Sequence, residues 1–121
     1  MSSEPSAKQQ AVLILAQRIR AVLPAGHASE KRMFGGITFL VRGNMLCCAF
    51  NQGLMVRVGK DAEATALSQP FVRPPSATRK MPGFVFIEPG GIADAPALSY
   101  WMDMARAYVD RLPPKSVKAK R

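Results

Sequence analysis

Ile37 to Val58 reads ITFLVRGNMLCCAFNQGLMVRV, and two turn signals, Gly43-Asn44 and Asn51-Gln52-Gly53, cut it into three apolar runs. Glycine and asparagine tolerate positive φ, so Gly43-Asn44 suits a two-residue hairpin pairing Val41 with Leu46, Phe39 with Cys48 and Ile37 with Phe50. Asn51-Gln52-Gly53 suits a type I turn closed by a left-handed glycine, pairing Phe50 with Leu54, Cys48 with Val56 and Leu46 with Val58. Because side chains alternate along a strand, these registers predict a β-meander with Ile37, Phe39, Val41, Leu46, Cys48, Phe50, Leu54, Val56 and Val58 on one buried face. A one-residue slip would bring Thr38, Arg42 or Arg57 onto that face. The opposite face then carries Leu40, Met45, Cys47, Ala49 and Met55, too apolar for an ordinary wet surface. Either a helix of the same chain covers it, or Leu40, Met45, Cys47 and Met55 form an interaction surface. Its occupant is then a second copy or a protein partner, for which flexible methionines are suited.

Outward from the meander, Lys8 to Leu23 has the spacing of an amphipathic helix, with Val12, Leu15, Ala16, Ile19, Val22 and Leu23 in one stripe and Pro24 as its stop. Lys31 to Phe34 reads as a short edge strand entering Gly35-Gly36. That glycine pair is expected to form a bulge or tight strand entry that folds Phe34 into the core. After the meander, Gly59-Lys60-Asp61 opens a short alanine-rich helix to about Leu67. Phe71 to Lys80 is a proline-containing exposed loop with at most a short strand near Phe71-Val72. Phe84 to Ile87 is a further strand, and Asp94 caps a last helix whose stripe is Leu98, Trp101, Met102, Ala105, Val109 and Leu112. Strands joined by two- or three-residue turns must be antiparallel, so the predicted class is α+β, a two-layer domain with an antiparallel sheet under N- and C-terminal helices.

The 121 residues are 48% hydrophobic, enough for one domain with a real core, and no apolar run approaches the roughly 20 residues of a membrane span. MSSEPSAKQQ has no apolar signal-peptide core, which predicts a cytoplasmic protein. The formal net charge of +9 is concentrated partly at the end, where Lys115, Lys118, Lys120 and Arg121 follow Leu112 without an acid. Such an end reads first as a solvated tail. Together with Arg73, Arg79 and Lys80 on the proline loop, Lys115, Lys118 and Lys120 are the candidate contacts for the alternative, a nucleic-acid-binding protein. Against that alternative, the aromatic residues fall mostly at core positions rather than between the cations.

No residue set points to catalysis. Gly35-Gly36 lacks the Lys-Ser/Thr and helix of a phosphate-binding loop. His27 with Cys47 and Cys48 is the one conceivable soft-metal set, but a structural zinc needs four ligands and adjacent strand cysteines point apart. Glu30, Asp61 and Glu63 are ordinary for loops and helix starts, so no enzyme activity, cofactor or metal is expected.

Met33-Phe34-Gly35-Gly36, the meander, Met81-Pro82-Gly83-Phe84, Trp101 and Leu112-Pro113-Pro114-Lys115 together resemble the TfoX N-terminal domain family over residues 8–115, leaving 1–7 and 116–121 as flexible termini. The resemblance implies a small α+β fold similar to the secretion-chaperone-like arrangement, with Met33, Phe34, Gly35, Gly36, Gly83 and Trp101 in structural roles. It also implies a bacterial regulatory or protein-interaction module. Members include a regulator of DNA-uptake competence that carries a second, helical domain, for which this chain has no room.

Overall fold

The structure, a computed structural model, describes residues 6–115. Ser6 starts the first helix, α1 (Ala7–Val22): its hydroxyl accepts the Gln9 N–H at 3.2 Å while the Gln9 side chain accepts the Ser6 N–H at 2.8 Å, a reciprocal cap that satisfies two otherwise orphaned donors. Pro24 follows, and the chain enters six strands: β1 (Ser29–Met33), β2 (Gly36–Val41), β3 (Asn44–Phe50), β4 (Gly53–Arg57), β5 (Val72–Arg73) and β6 (Phe84–Ile87). Helix α2 (Lys60–Leu67) lies between β4 and β5. Helix α3 (Ala95–Val109) closes the domain, capped by Asp94, whose carboxylate accepts the Ala97 N–H at 3.0 Å. The sheet is antiparallel in the order β1-β2-β3-β4-β6-β5. The expected α+β two-layer class is therefore the observed one.

All three helices pack on one face of this sheet. Val12, Leu15, Ala16 and Ile19 of α1, Ala66 of α2, and Leu98, Trp101, Met102, Ala105 and Val109 of α3 share a buried cluster with the strands. Trp101 is 3% exposed, as its place on the apolar stripe requires.

The meander exists, but β3 is shifted relative to the expected register. Phe39 pairs with Cys47 and Leu40 with Met45, so Leu46 is an extra residue bulged between them. Leu46 and Cys47 consequently both face the helices, and alternation resumes one residue out of phase, with Ala49 toward the helices and Cys48 and Phe50 away from them. The turn that sets this phase is Arg42-Gly43, at φ 52° and 83°, not Gly43-Asn44. On the other side of β3, Phe50 pairs with Gly53 and Ala49 with Leu54 around a two-residue Asn51-Gln52 turn. The expected buried face is thus corrected at Cys48 and Phe50, whose places are taken by Cys47 and Ala49. The physical reason is volume: β3 lies directly beneath α1 and α3, and small Cys47 and Ala49 let the helices approach where Phe50 would hold them off.

The Gly35-Gly36 expectation also changes. Phe34 and Gly35, at φ 55° and 79°, are the turn between β1 and β2, and Phe34 is 68% exposed rather than folded into the core. Gly36 is the residue that must lack a side chain, since a Cβ there would lie 2.3 Å from the Ala49 carbonyl oxygen.

Candidate functional site

Strand alternation places a second set of side chains on the face that none of the described helices covers. Lys31 sits opposite Thr38, Thr38 opposite Cys48, Cys48 opposite Met55, Met55 opposite Phe86, and Phe86 opposite Arg73, one continuous row across all six strands. Its apolar centre forms a cluster separate from the main core: Cys48, Met55 and Phe86 are buried at its floor, and Met45, Phe50, Met81 and Phe84 pack half-buried around them. Among the described residues this cluster contains no helical residue. The Thr38 hydroxyl, fully buried, donates to Cys48 Sγ at 3.3 Å. Phe50 and Phe86 are 6.5 Å apart, centroid to centroid, at a tilted angle that suits aromatic edges and faces.

Cations rim this floor. The Arg73 guanidinium lies 4.4 Å from the Phe86 ring centroid and pairs with Glu88 at 3.3 Å. Arg57 sits between the rings of Phe84 and Tyr108, at 5.5 and 5.6 Å. Lys31 and Lys115 flank Leu40 at the β1 side. The nearby carboxylates are already engaged, Glu88 by Arg73 and Glu30 by Arg20 through two hydrogen bonds of 2.5 and 2.7 Å. Those bonds hold the Glu30 carboxyl below the usual carboxylate range and raise the Arg20 guanidinium.

Of the surface expected from the sequence, Leu40, Met45 and Met55 lie on this helix-free face. Cys47 does not: it is fully buried under α3, its thiol 3.9 Å from the Met102 sulfur, and burial pushes the thiol well above its ordinary range. Cys48 is also raised, first by burial, against the lowering effect of the Thr38 hydroxyl. Both cysteines are free thiols. Phe50, Phe84 and Phe86 complete the face and were missed, Phe50 because of the bulge and the other two because a continuous apolar strand carries no face label.

The basic candidates are not brought together. Arg73 is on β5 at one edge and Arg79 and Lys80 are exposed on the loop after it, whereas the Lys115 N–H donates to the Arg42 carbonyl at 2.9 Å by the β2–β3 turn. Lys118 and Lys120 lie outside the described residues, as do 116–121 as a whole and 1–5. The chain from Asp110 to Lys115 is strapped down rather than free: Arg42 donates to the carbonyls of Asp110 and Leu112, both at 2.7 Å, and the Asn44 amide donates to that of Pro113 at 2.9 Å. Those contacts hold the Arg42 backbone in its left-handed conformation.

The remaining motif residues have local roles. Gly83 accepts the N–H groups of Val58 and Gly59, at 2.8 and 3.0 Å, and donates its own to the Glu63 carboxylate at 2.9 Å, locking β6 to the start of α2. Met33 is half-buried beside the exposed Phe34 turn. His27 pairs with Asp110 at 2.9 Å, a contact between the loop after α1 and the end of α3, and not with either cysteine. Among the described residues no three His, Cys, Asp or Glu side chains gather as a metal site would need, and no helix is long and apolar enough to cross a membrane.

The family model described as TfoX N-terminal domain matches residues 20–108, most of the chain. Searches of curated proteins and of solved structures found no match.

Proposed function

The chain belongs to the TfoX N-terminal domain family, and from that premise we propose that it is a non-enzymatic regulatory module that works by protein–protein contact through the helix-free sheet face. One observation carries this reading: every helix packs on one side of the open sheet, while the other side holds a methionine- and phenylalanine-rich cluster with a cationic rim. Apolar clusters of this kind on a surface mark interaction sites, and methionine's flexible thioether adapts to a partner's shape. The rings of Phe84 and Phe86 already carry the guanidinium groups of Arg57 and Arg73, which disfavours the alternative of nucleic-acid binding by base stacking.

The test is a photo-crosslinking amino acid at Phe50, on the face, compared with one at Tyr100, in the helical layer, in the native cell. The expected result is a discrete protein adduct from position 50 and none from position 100. Adducts to nucleic acid, or equal protein labelling from both positions, would refute the reading.

A further inference from the structure

Resting on that reading, the geometry points to the occupant: an acidic amphipathic helix of another protein, its apolar stripe on Met45, Phe50, Met81 and Phe84 and its flanking carboxylates on Lys31 and Arg73. The cross-strand row that runs through the cluster ends in a cation at each edge, Lys31 on β1 and Arg73 on β5. Five inter-strand steps of about 4.8 Å set those two positions roughly 24 Å apart. A helix with its side chains is about 10–12 Å wide, which leaves about 6 Å on either side, a distance that a lysine or arginine side chain spans. A helix laid along the strands therefore meets apolar floor beneath it and a positive charge on each flank. Its complement is an apolar stripe bordered on both sides by Asp or Glu.

Charge also argues against a second copy of this chain as the occupant. A second copy would meet this face through the same patch, setting Lys31, Arg57 and Arg73 against like charges on a chain of formal net charge +9. The Arg73–Glu88 pair does not neutralise the rim in advance, since both side chains are 48% exposed and such pairs exchange partners at little cost.

The probe is a synthetic 18-residue helical peptide with leucine at helical spacing and glutamate on both flanks. Its controls are the same peptide with lysine for glutamate, and one with the leucines replaced by serine. Each is titrated into the full chain carrying ¹³C-methyl methionine, with fluorescence anisotropy for affinity. The acidic amphipathic peptide should shift the methyl resonances of Met45, Met55 and Met81 and leave that of Met102, in the main core, unmoved. In the double variant Lys31→Glu, Arg73→Glu, affinity should fall about tenfold, the loss of two exposed charge pairs, while the melting temperature falls by no more than about 4 °C, the cost of the exposed Arg73–Glu88 pair. Equal binding by the lysine peptide would overturn the acidic partner while leaving protein docking intact. No methyl shift with any peptide overturns this inference, and the position-50 crosslink then judges the docking reading separately. Concentration-dependent dimerisation in sedimentation, or displacement of the peptide by single-stranded RNA, would each overturn it in favour of the occupant observed.

Discussion

Replacing Phe39 and Phe50 by alanine separates the bulged register from the regular one, because a regular meander buries both rings in the same core and the bulged one does not. Phe39 is 1% exposed and sits in the helix-side cluster, so Phe39→Ala removes a fully buried ring and leaves a cavity, costing about 3–5 kcal/mol. Phe50 is partly buried on the other face, against Phe86, and losing about two thirds of an aromatic burial of roughly 150 Å² at about 25 cal/mol per Å² comes to roughly 2.5 kcal/mol, with no closed cavity left behind. A domain of this length loses about 4 °C of melting temperature per kcal/mol, so the two variants should melt roughly 12–20 °C and about 10 °C below the parent. Urea denaturation with a shared slope gives the free energies directly. Equal losses for the two variants would refute the bulge, since they would place Phe50 in the main core.

Gly36→Ala should destabilise by about 1–3 kcal/mol, because its Cβ would meet the Ala49 carbonyl, which is backbone and cannot swing aside; a melt within 2 °C of the parent would contradict this. Glu30 is held below its unfolded pKa chiefly by the Arg20 hydrogen bonds, so its contribution is complete above the unfolded value near 4.3 and fades as pH falls through the lower folded value. Stability of Glu30→Gln should accordingly converge on that of the parent in acid, the difference at neutral pH being about 0.5 kcal/mol for a pair this exposed. Cys47 and Cys48 are both fully buried with raised pKa, so at pH 8 a thiol reagent should label neither until urea unfolds the chain; rapid labelling of the native protein would show that the cluster opens.

Most of the fold was legible because its signals are local. Apolar stripes with caps and stops located α1 and α3, and alternation with glycine turns located the meander. The phase of β3 was not legible, for two reasons. Asn44 after Gly43 offers a second plausible two-residue turn, yet both hairpins that use left-handed residues, Phe34-Gly35 and Arg42-Gly43, place glycine second, as type I′ turns prefer. The residue before each glycine is one that sequence rules disfavour at positive φ, and at Arg42 the anchoring carbonyls come from Asp110 and Leu112, nearly 70 residues away. In addition, nearly every residue from Leu46 to Phe50 is apolar, so hydrophobicity cannot say which alternate set faces inward. Only the size difference between Cys47-Ala49 and Cys48-Phe50 carries that information, and it matters once two helices are known to cross β3.

That single extra residue also decides what the domain offers to its surroundings. In the regular register, Phe50 would be spent on the main core and Cys47 and Ala49 would leave a shallow outer strand with little to grip. Bulging at Leu46 keeps Leu46 and Cys47 inside, sets Ala49 under the helices, and turns Cys48 and Phe50 outward to join Met55 and Phe86. The same step therefore tightens the helical layer and builds the apolar centre of the opposite face, between cations that the edge strands supply independently. Deleting Leu46 tests this directly, because it removes the extra residue while leaving Phe39 opposite Cys47 and Ile37 opposite Ala49, so that Cys48 and Phe50 stay outward. The variant should lose stability, about 2–5 kcal/mol for a fully buried leucine, yet keep face-specific crosslinking from Phe50. A folded deletion variant that no longer crosslinks from Phe50 would contradict the pairing of Phe39 with Cys47 and with it the bulge at Leu46.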